Sequence, residues 1–346
     1  MGMWVGRGRK ARRCYGFDEI ALVPGEVSIN PEEVDPSWEF AGRKYKVPII
    51  AAAMDGVVDV NFAAKMGKQG GMAVLNLEGV QTRYEDPSDI LHEIANTTPE
   101  KATAILQKLY TQPVKEKLIR KRIREIKSKK VPAIVSSIPQ KAEKYGKICQ
   151  AAGADIFVVQ SQVSSAKHIS TKYKVCDYGR LCNSLKIPVM IGNVVTYKMA
   201  LYLMEIGASG VLVGVGPGAA CTTRGVLGIG VPQVTATCDA AAARDFFYKK
   251  TGTYVPIITD GGMSSGGDIC KAIASGADAV MVGSAFARAK EAPGQGCHWG
   301  MATPNMYLPR GTRIRVGTTG SLKEILFGPA RTDDGTQNLM GAIKAS

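Results

Sequence analysis

The 346-residue sequence has no run of 18 apolar residues, and its first 30 residues carry no signal-peptide core. Neither a helical membrane span nor export is therefore expected, and the chain reads as cytoplasmic, with no membrane partner. Met1-Gly2 opens like a myristoylation site, but Gly6 stands where that site needs Ser or Thr. Histidine is scarce, three in all, and the eight cysteines form no Cys-x-x-Cys pair. A zinc site or a disulfide lattice is not expected from such a set, and most of the cysteines read as small core residues in a reducing compartment. Acidic residues are outnumbered, 30 against 44 Lys and Arg, for a net charge of +14. No zinc-finger spacing or aromatic-interleaved RNA-binding pattern accompanies that excess, so nucleic acid is not the expected partner. A phosphorylated small molecule also suits the positive field.

What is present reads as globular. At 45% apolar and 21% charged residues the chain can bury a sizeable core, and its length fits one large domain or two ordinary ones. Charge concentrates in Arg7 to Arg13 and in Lys115 to Lys130, where nine of sixteen residues are basic. In the second stretch Val114, Leu118, Ile119, Ile123 and Ile126 recur at helical spacing, which predicts an amphipathic helix with a solvated basic face.

Short apolar, β-branched runs occur at Pro48–Ala53, Met72–Asn76, Pro132–Ser137, Ile156–Gln160, Pro188–Gly192, Gly210–Gly214, Pro256–Asp260 and Ala279–Ser284. Continuous apolar strands belong to a parallel sheet covered on both faces. Eight of them with helical patterns between predict an α/β fold, a single-domain (β/α)8 TIM barrel spanning residues 1–346. A doubly wound sheet would not need eight evenly spaced strands. Residues 1–14 read as an N-terminal arm, and the polar, irregular stretch 285–346 as a C-terminal lid and tail.

Glycine and polar residues gather at several strand-to-helix junctions, which in a barrel lie on the face where active sites are built. After the last two strands stand Asp260-Gly261-Gly262 and Gly283-Ser284. Glycines there let the backbone approach a phosphate, Ser284 adds a hydroxyl, and Asp260 suits a ribose diol. After the sixth strand comes Gly214-Val-Gly216-Pro-Gly218-Ala-Ala-Cys221-Thr-Thr223-Arg224. A cysteine closing a glycine-rich turn on that face is a candidate nucleophile.

Gly-Pro-Gly-x-x-Cys-Thr-Thr-Arg resembles the catalytic loop of the IMP dehydrogenase/GMP reductase family. Nearly the whole chain follows that family's order: Tyr15-Gly-Phe-Asp-Glu19, Ala53-Met54-Asp55, Gly192-Asn193-Val-Val-Thr196, Gly230-Val-Pro-Gln233, Asp260-Gly-Gly262 and Glu291-Ala-Pro-Gly294. The resemblance is closest to the subfamily without CBS domains. It implies that Cys221 attacks purine C2 with Thr223 assisting the entering or leaving group. Asp260 would hold the ribose, and Gly262, Gly283 and Ser284 the phosphate. Met54, Asn193 and the backbone of Gly300, Met301 and Ala302 would contact the nucleotide. Gln160 and Glu291 are the candidates on the nicotinamide side, and the carbonyls of Gly216, Gly218 and Cys221 match a potassium site. The resemblance also implies GMP or IMP as substrate, NADPH or NAD as cofactor, and a homotetramer.

Two directions follow from one covalent chemistry. Sulfur added at C2 makes a tetrahedral carbon that can give or receive a hydride. Residues 301–313 contain no Arg-Tyr dipeptide, which dehydrogenases of the family use to activate water, so reduction of GMP to IMP with loss of ammonia reads first. Oxidation of IMP to XMP is the alternative, and a non-catalytic nucleotide- or RNA-binding barrel is a third. Departures from the family pattern bear on the choice. Arg310 stands where a reductase glutamate is expected, Ala219 replaces a phosphate-binding serine, Gln160 an aspartate, and Leu212 a basic residue.

Overall fold

The computed structural model describes residues 2–300 and 312–346. Eight parallel strands close into a barrel: β1 (Ile49–Ala51), β2 (Met72–Asn76), β3 (Ile134–Ser137), β4 (Ile156–Gln160), β5 (Val189–Val194), β6 (Gly210–Val213), β7 (Ile257–Asp260) and β8 (Ala279–Val282). Every run read as a strand is one, and β8 closes on β1 with Val280 beside Ile49 and Met281 beside Ile50. Alternation along each strand sorts its side chains into two cores. Ile50, Val74, Val158, Leu212, Ile258 and Met281 fill the interior, while Ile49, Val135, Phe157, Ile191, Val211 and Val280 pack outward on the helices. Both faces are covered, which is why the runs are continuously apolar.

The floor of the barrel is closed by a hairpin that sequence patterning missed. Trp38–Phe40 pairs with Arg43–Tyr45, and Trp38, Phe40 and Tyr45 join the interior cluster from below. A Cβ on Gly210 would lie 3.2 Å from the Phe40 ring, so the small residue opening β6 makes room for the plug.

The basic stretch is the helix Glu116–Ser128. Its apolar residues are buried as spaced, but so is Arg122, whose guanidinium donates to the carbonyls of Gln81 and Glu85 and pairs with Glu125. Other charges of that face are compensated: Lys117 and Lys121 by Glu85, and Lys127 by Asp155. The basic face is solvated as expected apart from Arg122, and part of its charge is neutralised by surface pairs.

Two further differences concern the ends. Residues 3–11 form an exposed hairpin, Met3–Gly6 with Arg9–Ala11. The described part of the C-terminal stretch is more regular than its composition suggests. Cys297–Trp299 pairs antiparallel with Arg313–Arg315, and the helices Leu322–Phe327 and Leu339–Ala345 follow. Ser321 and Glu324 form a capping box at the first of these, a signal readable as Ser-x-x-Glu. A Cβ on Gly266 would meet Ala342 at 2.4 Å, so the last helix packs closely on the helix after β7. No helix among the described residues is long and apolar enough to cross a membrane.

Candidate active site

At the C-terminal ends of the strands lies a cavity of about 710 Å³. It brings together Met54 after β1, Gln160 ending β4, Asn193 in β5, the Gly216–Thr223 loop after β6, Asp260 and Gly262 at β7, and Gly283 and Ser284 after β8; Gly300 also lines it. Met301 and Ala302 lie outside the described residues. Glu291 is elsewhere: its carboxylate accepts the Leu322 N–H at 2.8 Å, capping a helix, and lies 3.7 Å from Lys65. Leu212 points into the barrel interior.

The Cys221 loop is shaped by glycine and braced by one arginine. Gly216 has φ +74°, and a Cβ there would lie 2.5 Å from Arg224 Cγ. Arg224 donates from Nε to Val215 O at 3.1 Å and from Nη2 to Val231 O at 2.5 Å, tying the start of the loop to its end. The Cys221 N–H donates to Gly218 O at 2.9 Å, closing a turn that leaves Cys221 exposed in the cavity. Its Sγ lies 3.2 Å from Thr223 Oγ1. Thr223 is buried and accepts from Gln162 Nε2 at 3.4 Å. Sequence reasoning did not single out Gln162, two residues past the end of β4.

Asp260 sits deeper. Asn193 Nδ2 donates to its Oδ2 at 2.8 Å, and Gln160 Nε2 at 3.3 Å. Burial pushes the carboxyl up to about 6, and the Asn193 bond pulls the other way. Asn193 follows a cis peptide from Gly192. Gln233 bonds Val213 O at 2.6 Å, fastening the helix after the Cys221 loop to the end of β6. Gln160 Oε1, buried beside Asp260, has no partner among the described residues.

A Cβ on Gly283 would lie 2.7 Å from Met54 Sδ, and one on Gly262, at φ +81°, would lie 3.0 Å from Pro217. Glycine at both positions keeps the two loops in close contact. His298 lines the same end of the cavity, with Nε2 3.1 Å from Ser284 Oγ. Neither the loops nor the resemblance marked it; its one sequence sign is a polar residue between Cys297 and Trp299 in an otherwise apolar strand. Behind this strand, Trp299 Nε1 donates to Tyr110 Oη at 2.7 Å, and Tyr110 donates to Asp55, which also accepts the Val80 N–H at 2.9 Å.

A second pocket of about 430 Å³ adjoins the first, sharing Gln140, Ser161 and Val163 and adding Lys167, His168 and Tyr173. The His168 and Tyr173 rings are stacked at 5.9 Å. The exposed Cys221 thiol thus faces a main chamber that opens on an annex lined by aromatic and basic side chains.

Residues 14–314 match the model of the IMP dehydrogenase / GMP reductase domain. The chain belongs to that family. It is 36% identical to an uncharacterized oxidoreductase of Mycolicibacterium smegmatis, covering 99% of this chain and 94% of the relative. It is 32% identical to the inosine-5′-monophosphate dehydrogenase of Borreliella burgdorferi over 82% of this chain and 72% of that one. Among solved structures, an IMP dehydrogenase/GMP reductase-like protein from Corynebacterium glutamicum superposes with a TM-score of 0.94 at 35% identity, covering 99% of this chain and 92% of the other. This IMP dehydrogenase/GMP reductase family member is therefore an oxidoreductase, and its family works on IMP or GMP with a nicotinamide cofactor.

Proposed function

We propose that the protein oxidises IMP at purine C2 to give XMP, with Cys221 as nucleophile. The observation that carries this direction is the partner of Thr223. Loss of ammonia from GMP needs an acid beside the leaving amine, yet the side chain facing Thr223 is the amide of Gln162. Among the described residues Asp260 is the one carboxylate lining the cavity, and it is bonded to Asn193 and Gln160. Gln162 neutralises nothing and protonates nothing; it orients the Thr223 hydroxyl, which suits holding a water near C2.

In this reading the Cys221 thiolate adds to C2, which becomes tetrahedral and able to give up its hydrogen as hydride. A nicotinamide dinucleotide, when bound, supplies the hydride acceptor. Removal of the hydride leaves C2 joined to Cys221 as a thioimidate. Water then adds, the carbon–sulfur bond breaks and XMP leaves. Thr223 orients that water, Asp260 holds the ribose diol, and Gly262, Gly283 and Ser284 face the phosphate. Met54, Asn193 and Gly300 contact the rest of the nucleotide; Met301 and Ala302, named by the resemblance, lie outside the described residues. The unpartnered Gln160 Oε1 and the annex with His168, Tyr173 and Lys167 fit an amide-bearing dinucleotide and its second base. NAD is the cofactor of this direction. Potassium held by the carbonyls of Gly216, Gly218 and Cys221 belongs to the same reading; the Gly218 oxygen already accepts one bond and has a second lone pair to offer. So does a cytoplasmic homotetramer: eight free cysteines suit a reducing compartment, and Val23, Val27 and Ile29 expose apolar surface for further copies.

The missing Arg-Tyr dipeptide in residues 301–313 favours a second reading, reduction of GMP to IMP with NADPH. One experiment separates the two. IMP with NAD, and GMP with NADPH, are each incubated with the protein while reduced nicotinamide, XMP and ammonia are followed. XMP formation with NAD reduction is expected; GMP-dependent NADPH oxidation with ammonia release and no XMP would overturn the proposed direction. Cys221→Ser is expected to lower turnover by at least about a thousand-fold, as loss of a covalent nucleophile does, while binding IMP with little change.

A further inference from the structure

Behind the cavity runs a line of hydrogen bonds that the proposed reaction does not use. Trp299 Nε1 donates to Tyr110 Oη at 2.7 Å, Tyr110 donates to Asp55 Oδ2, and the Val80 N–H reaches the same carboxylate oxygen at 2.9 Å. All three side chains are buried. An indole offers a donor and no acceptor, so without the Tyr110 oxygen its N–H would lose its partner inside an apolar cluster, which proteins rarely tolerate. That cluster is separate from the two cores of the barrel, and it packs Trp299 on Leu91, Ile94, Leu106 and Leu109. These come from the helices Ser88–Asn96 and Pro99–Leu109, and Tyr110 is the residue that ends the second of them.

Each end of the line abuts a residue that lines the cavity. Asp55 follows Met54, and Trp299 precedes Gly300. A Cβ on Gly300 would lie 3.7 Å from Ala220 O, so this stretch of backbone stands beside the Cys221 loop. A Cβ on Gly56 would lie 3.0 Å from Trp299 Cζ3, so the turn after Asp55 also touches the indole. The ring is thereby held at one edge by packing and at its nitrogen by Tyr110. Tyr110 is steadied in turn by Arg83, whose guanidinium lies over its ring at 5.5 Å and is anchored on the Glu78 carbonyl. A shift of the peptide between Trp299 and Gly300 would carry the indole with it and strain the bond to Tyr110.

We propose that Tyr110 is a positioning residue of the nucleotide site: through Trp299 it fixes the Gly300 backbone against the Cys221 loop, where the purine meets the thiol. This rests on the cavity being a purine-nucleotide site. Tyr110 itself touches no ligand; it acts through the indole alone. When its hydroxyl is removed, the indole N–H turns away to find another acceptor and the end of the strand relaxes with it. A nucleotide then binds only the fraction of molecules whose Gly300 has returned to its place, and the apparent affinity falls by that fraction. A neighbouring tyrosine gives the contrast. Tyr84 packs against the same cluster and donates to Leu109 O at 2.8 Å, a bond that holds a helix end and does not involve Trp299.

The test is calorimetric titration of the full chain with IMP. Tyr110→Phe is expected to bind IMP about ten-fold more weakly than wild type, as loss of one buried hydrogen bond implies. Trp299→Phe keeps a ring in the cluster and removes the indole donor, so it is expected to show a similar loss and carries the test should the first variant not fold. The double variant is expected to lie within about two-fold of either single one, because both substitutions cut the same link. Tyr84→Phe, which gives up a hydroxyl in the same cluster, is expected to bind IMP as wild type does. Unchanged IMP affinity in Tyr110→Phe and Trp299→Phe would overturn the proposal. Additive losses in the double variant, or a loss in Tyr84→Phe equal to that in Tyr110→Phe, would overturn it as well, since either marks a merely structural role. Turnover plays no part in the readout, so a protein that binds IMP as expected but does not oxidise it fails only the proposed reaction. Failure of wild type to bind either IMP or GMP removes the site and this role with it.

Discussion

At the residue scale, two buried carboxyls near the cavity are both pushed up to about 6 by loss of water, Asp55 and Asp260, yet they differ in use. Asp260 faces the cavity, where, on the proposed function, an ionised carboxylate accepts both hydroxyls of a ribose. Its affinity limb has one sign: binding needs the deprotonated form and weakens as pH falls through about 6. Titrations of IMP from pH 5 to 7 are expected to show this slope in wild type on top of that of the nucleotide's own phosphate, which titrates near about 6; Asp260→Asn is expected to leave only the phosphate's part while raising the IMP dissociation constant at pH 7 roughly ten-fold or more, as loss of a charged hydrogen-bonding partner does. Cys221, Asp260 and Ser284 were legible in the sequence because each sits beside glycines that mark a tight strand end. His298 and Gln162 were not. Their meaning comes from Ser284 and Thr223, which are near in space and, for Gln162, 61 positions away in the chain.

At the scale of elements, the strand Cys297–Trp299 leads into Gly300 and is fastened from behind. Trp299, Tyr110 and Asp55 form one hydrogen-bonded line across 189 and 55 positions of sequence, a link that no local pattern announces. A Cβ on Gly79 would fall 1.8 Å from Asp55 Oδ1, so glycine there is what admits the carboxylate. Because the folded pKa of Asp55 is raised above its ordinary value, the protonated acid is the form the fold prefers. The stability it contributes is present below about pH 4 and lost as pH rises through about 6. Urea unfolding from pH 4 to 7 is expected to show a decline in wild type that Asp55→Asn lacks, the difference amounting to about 3 kcal/mol for a shift of this size. The eight strands were readable because burial on both faces makes them continuous apolar runs. The short floor hairpin and the closing pair 297–299 and 313–315 were not, since three-residue strands carry too little periodicity to stand out.

At the scale of the whole molecule, the barrel has a filled interior and a hairpin stopper. Phe40 is 3% exposed and packs with the interior side chains of several strands. Phe40→Ala is expected to cost about 3–5 kcal/mol of stability, as loss of a buried phenyl does, with turnover per folded molecule and IMP affinity nearly unchanged. Thermal unfolding beside a steady-state assay checks both halves; a large change in affinity at preserved stability would place the hairpin in the site instead. The family's barrel was legible as a whole in the order of its loops, whereas the amide beside Thr223, on which the proposed direction rests, was not.

That stopper has a kinetic consequence. With the bottom plugged by Trp38, Phe40 and Tyr45, traffic through the described structure uses the upper opening, where the annex of Lys167, His168 and Tyr173 sits beside the main chamber. A mononucleotide and a dinucleotide bound as proposed would share that one opening. Two ligands with a common doorway are expected to bind in a fixed order, which product-inhibition kinetics would reveal.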